Sequence, residues 1–152
     1  LRPWMAWAQH TPTVDDNEVY AREAHVRFLK REDLSLLLFD KVTNTLVGSS
    51  GLHGINWAVP KFEIGYWVRT PYAGQGYITE AVAALTDFTF TSLGAHRVEI
   101  RCDAKNARSA AVARRCGFAL EGILRCEDRC SMTNELRDTM VFAKVKAEVD
   151  ES

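Results

Sequence analysis

What this chain of 152 residues is short of narrows its work quickly. It has no excess of basic residues, with 19 Lys and Arg against 20 Asp and Glu and a formal net charge of −1. There is thus no basic field to hold a nucleic-acid backbone. No apolar run approaches the ~20 residues that a membrane span requires. Cys102, Cys116, Cys126 and Cys130 form no Cys-x-x-Cys pair, and His10, His25, His53 and His96 are scattered, which argues against a zinc site or any other metal centre. Cys102 and Cys116 fall at apolar positions and read as small core residues. No signal peptide is visible, and the default setting is the reduced cytoplasm. Repeats and low-complexity tracts are missing as well. With 47% hydrophobic and 26% charged residues, a chain of this length suits one domain around one core.

What is present centres on the stretch from Phe62 to Glu80, FEIGYWVRTPYAGQGYITE. Ile64, Tyr66 and Val68 alternate with Gly65 and Trp67 at the period of a half-buried strand. Pro71 stops the strand because it has no amide to donate. Gly74-Gln75-Gly76 then turns into a helical pattern opening at about Thr79 and Glu80. A strand, a glycine turn and a helix start make an anion cradle. Two glycines let backbone approach a phosphate, and the amides of Tyr77, Ile78 and Thr79 point at it with the positive end of the helix dipole behind them. A tight turn with no ligand is the plainer reading of the same residues. Two well-known cradles are excluded. A P-loop carries Lys-Ser or Lys-Thr after its last glycine, where this chain has Tyr77-Ile78. The dinucleotide fingerprint has a third glycine where this chain has Thr79.

Around that stretch, periodicity predicts the remaining elements. Trp4, Met5 and Trp7 read as a helix end packing on the core or as the lining of a substrate mouth. Thr13 caps a helix from Asp15 to about Lys30. Strands are predicted at Leu34–Asp40 and Leu46–Leu52, with Gly48 and Gly51 as bulge positions, and a loop covers His53–Pro60. With the strand ending at Val68 they make an antiparallel meander. A helix to Leu93, stopped by Gly94, leads to a parallel strand at Arg97–Cys102, so the sheet is mixed. Asn106 caps a second helix that Gly117 ends. Phe118–Leu124 and Leu136–Lys144 are the last strands, Arg125–Glu135 is a polar loop between them, and Lys146–Ser152 is a loose acidic tail.

Two blocks carry a resemblance. The first is Ile64-Gly65-Tyr66-Trp67-Val68 with Pro71-Tyr72-Ala73-Gly74-Gln75-Gly76-Tyr77-Ile78-Thr79-Glu80-Ala81. The second is Asn106, Ser109, Val112, Arg115, Gly117-Phe118, Leu120-Glu121-Gly122 and Leu124-Arg125, with Arg137-Asp138 downstream. Together they resemble the GNAT acyltransferase superfamily, and within it the RimJ/RimL-type N-acetyltransferases that modify the amino termini of ribosomal proteins. Ala73 and Ile78 depart from the usual phosphate motif. The resemblance also implies a first strand and helix preceding Leu1.

It implies an α/β (α+β) fold, one domain over residues 1–152, with a mixed and mostly antiparallel sheet splayed at its centre between flanking helices. The implied donor is acetyl-CoA. Its diphosphate would lie on the turn of Gly74, Gln75, Gly76, Tyr77, Ile78 and Thr79, and its pantetheine arm along Trp67, Val68 and Arg69. Asn106 would hold that arm, a plain helix cap being its other reading. Ser109 would protonate the leaving sulfur, and a backbone amide near Val68 would face the oxyanion; for Ser109 a local backbone bond is the alternative. Asp128, or Glu127 beside it, would serve as base, with solvated loop charges as the alternative. Transfer would be direct, with neither a metal nor a cysteine. The implied acceptor is the N-terminal α-amine of a ribosomal protein. A small amine (polyamine, antibiotic or amino acid) is the second reading, and a silent acyl-CoA-binding module the third. A homodimer rests on the same resemblance.

Overall fold

The computed structural model describes residues 14–150. In order these form α1 (Val14–Leu29), β1 (Leu34–Phe39), β2 (Leu46–Asn56), β3 (Lys61–Val68), a short 3-10 turn at Thr70–Tyr72, α2 (Tyr77–Ser92), β4 (Arg97–Asp103), α3 (Ala107–Arg115), β5 (Ala119–Arg129), β6 (Leu136–Val145) and α4 (Lys146–Asp150). The six strands make one sheet in the order β1-β2-β3-β4-β6-β5. β1, β2 and β3 are the antiparallel meander that the short connections predict. β3 and β4 run parallel, joined through α2, because a parallel pair needs a long crossover. β6 is antiparallel to both β4 and β5.

One face of the sheet carries the core. Phe62 and Ile64 of β3, Val98, Ile100 and Cys102 of β4, and Met140 and Phe142 of β6 meet Ile78, Val82, Leu85 and Phe90 of α2 and Ala110 and Ala113 of α3. Alternate strand positions thus meet helix positions three and four apart. Thr86 and Thr89 are buried without loss, since their hydroxyls donate to the carbonyls of Val82 and Leu85 at 2.6 Å.

The sheet parts at its centre. β3 pairs with β4 only at Lys61↔Arg97, Phe62↔Val98 and Glu63↔Glu99. Beyond these rows β3 stays with β2 as far as Val68↔Gly48, and β4 stays with β6 as far as Asp103↔Thr139. A gap opens between them, as the resemblance implied.

Several expectations are corrected. α2 begins at Tyr77 rather than Thr79, with Gly76 as its N-cap in the left-handed region. β2 runs on to Asn56 and takes in half of the expected loop. Gly48 and Gly51 are not bulges, for the register shifts fall at Leu38/Phe39 and His53/Asn56. They are sites of close approach, where a Cβ would lie 2.2 Å from Trp67 O and 2.5 Å from Leu34 O respectively. β5 extends to Arg129, so Glu127 and Asp128 lie on a strand and not in a loop. As an edge strand exposed on both faces, its polar run hides the pairing Asp128↔Arg137. Residues 146–150 are a short helix instead of a loose tail. The readings placed on Trp4, Met5, Trp7 and Thr13 lie outside the described residues. Among the described residues no helix is long and apolar enough to cross a membrane.

Phe142 is fully buried at the centre of this core. Phe142→Ala is expected to lower stability by about 3–5 kcal/mol. In urea unfolding the midpoint should fall at an unchanged slope.

Candidate active site

The glycine turn is built for backbone. Gly74 and Gly76 have φ of 76° and 83°, a region that favours glycine, and a Cβ at either would meet nothing within 4 Å. The space in front of the turn is open. No side chain caps the start of α2, whereas at α3 the Asn106 Oδ1 accepts the Ser109 amide at 3.1 Å. The first amides of α2, from Tyr77, Ile78 and Thr79, therefore have no acceptor within their helix. Ile78 is buried in the core, so its side chain anchors the helix and leaves only its backbone for a ligand. Gln75 likewise spends its side chain on Pro71 O, at 3.0 Å. The Tyr77 hydroxyl donates to Asp40 Oδ2 at 2.6 Å, and Asp40 also accepts the amides of Val42 and Thr43 at 2.9 Å. The Tyr77 bond, then those amides, hold the Asp40 carboxyl down at about 2, and the carboxylate in turn pushes the Tyr77 phenol up. The β1–β2 turn is thereby tied to the first residue of α2.

At the gap, alternation decides which backbone groups face which way. The Arg69 amide donates to Val47 O at 2.7 Å, and Gly65 O accepts the Ser50 hydroxyl at 3.0 Å. Odd positions of β3 thus serve β2, and the N–H and C=O of Tyr66 and Val68 turn towards β4, where pairing has ceased. Of Trp67, Val68 and Arg69, it is Val68 whose own backbone groups are presented to the gap. The Arg69 side chain is held back, donating to Leu46 O at 2.9 Å.

Ser109, in the first turn of α3, reaches the same opening. Its Oγ lies 2.8 Å from the Tyr66 hydroxyl, which also donates to Ser109 O at 3.0 Å. Burial holds the Tyr66 phenol well above its usual range, so Tyr66 is a permanent hydrogen-bond partner. Cys102 on β4 lies beside the same Ser109 hydroxyl, and burial pushes its thiol up and keeps it protonated. Sequence periodicity assigned Tyr66 only to a strand. Its partner is 43 positions away, and no local signal could have paired them.

The acidic candidates lie on the other face. Glu127 Oε2 accepts the hydroxyl of buried Thr139 at 2.7 Å. Asp128 accepts the Arg129 amide at 2.8 Å and Arg137 Nη2 at 3.1 Å. These two bonds, the amide first, hold its carboxyl below the usual carboxylate range. Arg137 also stands 3.7 Å from Asp103 Oδ2. The pairings Asp103↔Thr139 and Asp128↔Arg137 place this group on the face opposite Cys102 and α3. The structure brings Asn106, Ser109 and Tyr66 together on the helical face of the sheet and Glu127 and Asp128 together on the opposite face, along β5. Among the described residues no group of His, Cys, Asp and Glu is arranged to hold a metal ion.

This mixed sheet parted between its central parallel strands, with an uncapped glycine-turn helix, is shared with solved acetyltransferases. The chain belongs to the GNAT acetyltransferase family, whose model, described as "Acetyltransferase (GNAT) domain", matches residues 2–119. It is 29% identical over 154 residues to "Putative ribosomal N-acetyltransferase YdaF" of Bacillus subtilis (strain 168), covering 97% of this chain and 79% of that protein. It is 30% identical over 125 residues to the ribosomal-protein-serine acetyltransferase of Escherichia coli (strain K12), covering 82% of this chain and 69% of that one. Among solved structures, the microcin C7 self immunity acetyltransferase MccE in complex with acetyl-CoA and AMP is similar with a TM-score of 0.83 at 27% identity, covering 93% of this chain and 77% of that one.

The Asp40–Tyr77 tie has a measurable signature. In Tyr77→Phe the Asp40 carboxyl should titrate nearer its ordinary 3.8 than 2, as followed by NMR. Because the folded value is depressed, the stabilisation is present above the ordinary value and is lost as pH falls through the folded one.

Proposed function

We propose that this chain acetylates the N-terminal α-amine of a protein, a ribosomal protein foremost, with acetyl-CoA as donor. The observation that carries the reading is the Ser109 hydroxyl, held on Tyr66 at the parted β3–β4 pair, in a fold whose crossover helix α2 starts uncapped. Acetyl-CoA supplies an activated acyl group as a thioester; the chain's own residues must bind it, orient it and move protons. The residues fit such a donor. The amides from Gln75 to Thr79 suit a diphosphate, with Gly74 and Gly76 leaving room for it. The backbone of Val68 suits the amides of an extended arm, added like a strand, and its N–H suits a developing oxyanion. Asn106 spends its oxygen on the cap and keeps its amide group to donate to the arm, so cap and ligand contact coexist. Ser109 donates the proton that the leaving sulfur needs, and none of the cysteines is required.

Glu127 and Asp128 draw a cationic amine to the opposite face. The Arg129 amide and Arg137 hold Asp128 low, which suits it to binding an ammonium. The names of the relatives favour a ribosomal protein as acceptor. A small amine such as a polyamine would be drawn by the same two carboxylates. The reading places the enzyme in the cytoplasm, as a homodimer on the family resemblance alone.

The test is thiol release from acetyl-CoA with N-terminal peptides, polyamines and amino acids as acceptors. Release with peptides, abolished by blocking the α-amine, is expected; release with small amines alone would discard the protein acceptor. Ser109→Ala should lower kcat by about 10²-fold, with acetyl-CoA affinity retained in calorimetry.

A further inference from the structure

On the carboxylate side of the gap lies a pair that the mechanism above does not use. His53 of β2 is the register partner of Glu63 of β3, and Glu63 is the last β3 residue paired to β4, opposite Glu99. The row His53–Glu63–Glu99 therefore stands where the sheet begins to part. It lies on the face away from α2 and α3, since Leu52, Phe62 and Ile64 beside it point into the core. His53 Nε2 is 3.1 Å from Glu63 Oε1. The ring leans forward over Gly65, where a Cβ would meet Cε1 at 2.8 Å and Nδ1 at 3.3 Å. The missing side chain at Gly65 gives the imidazole its place one row further into the opening. The pair is reachable, with 46% of the His53 side chain and 26% of that of Glu63 exposed.

We propose that His53, oriented by Glu63, is the group that takes the proton from the acceptor's ammonium. The proposal rests on the acetyltransferase reading above. With Nε2–H donated to Glu63, the neutral ring keeps Nδ1 as the accepting nitrogen. The ammonium gives one proton to Nδ1, and His53 passes it to water. The freed amine attacks the thioester carbon, the N–C bond forms and the C–S bond breaks. The thiolate takes the Ser109 hydroxyl proton, and the second proton lost from the amine nitrogen restores Ser109 through solvent. One amide, one thiol and one released proton close the balance.

The surroundings suit the task. Glu63 lifts the imidazole above its ordinary 6.5 more than burial lowers it, and Asp33, itself 3.1 Å from Arg27, adds to the lift. Glu99 in the same row is engaged by Arg97 at 2.9 Å, with Arg101 at 3.9 Å. Raised in this direction, the imidazole is better fitted to take a proton from an ammonium than a free one would be. Asp128 is displaced the opposite way.

The experiment is the pH profile of kcat at saturating acceptor peptide, from about pH 6 to 9, in the full chain and its variants. Activity should fall on the acid side as His53 becomes charged. Glu63→Gln removes the group that lifts the imidazole and should move that limb to lower pH. His53→Gln should lower kcat by about 10²-fold and abolish the His53 part of the limb. Glu127→Gln and Asp128→Asn should raise KM and leave the limb in place. Acetyl-CoA affinity by calorimetry checks that each variant is folded, and if His53→Gln fails that check the Glu63→Gln shift decides. His53→Gln with unchanged kcat and limb, or a limb that moves with Glu127→Gln instead, overturns the proposal. Wild-type thiol release in the same assay separates this failure from failure of the enzymatic reading, which no release with any acceptor would sink together with the inference.

Discussion

Three pairs of residues hold β3 to β4, and the chemistry of the molecule depends on there being no more. Past Glu63↔Glu99 each strand is kept straight by its outer neighbour, β3 by β2 and β4 by β6. The gap therefore does not relax shut. Its walls hold backbone polar groups that must find partners, and an extended ligand with amides of its own is the kind of partner they suit. The bond between Tyr66 and Ser109 crosses this region from the β3 wall to α3. It fixes the serine hydroxyl at the place where the sheet is least able to supply order.

The gap also separates two faces with different duties. On the helical face lie Ser109, Asn106, the buried phenol of Tyr66 and the protonated thiol of Cys102, in partly buried surroundings that strengthen their hydrogen bonds. On the other face lie His53 and the charged side chains of Glu63, Glu127, Asp128 and Arg137, all at least partly exposed. In the proposed reading, donor binding goes with the first face and capture of a cationic amine with the second. The helix starts divide in the same way. Asn106 caps α3 because that end is part of the scaffold, whereas α2 is left uncapped and its side chains are tied elsewhere, Ile78 in the core and Tyr77 on Asp40.

Much of the cradle was legible in the sequence because it is made locally. Positive φ at Gly74 and Gly76, the halt at Pro71, the Asn106 cap and the alternation from Ile64 to Val68 each depend on neighbours a few positions away. The Ile78 departure from the motif was explained only when the residue was seen to be an anchor. The carboxylates were legible as residues but not in their setting. Nothing local showed that Glu127 and Asp128 belong to an edge strand, because exposure on both faces removes the alternation that marks one. Nor could sequence show that Arg137 would hold Asp128 low, since that ion pair needs the β5–β6 register.

By itself, then, the sequence determined the antiparallel meander, the mixed sheet and the glycine turn into α2, which follow from short-range sterics, hydrogen bonds and hydrophobic period, while the family was legible only through the resemblance of its two motif blocks. The tertiary structure alone decided the row at which the sheet parts, that Tyr66 would hold Ser109, that His53 would lie over Gly65 against Glu63, and which face each charged group would share. These are contacts between residues far apart in the chain. Their geometry is set by strand register and by the packing of α2 and α3 on one face, which no local pattern encodes.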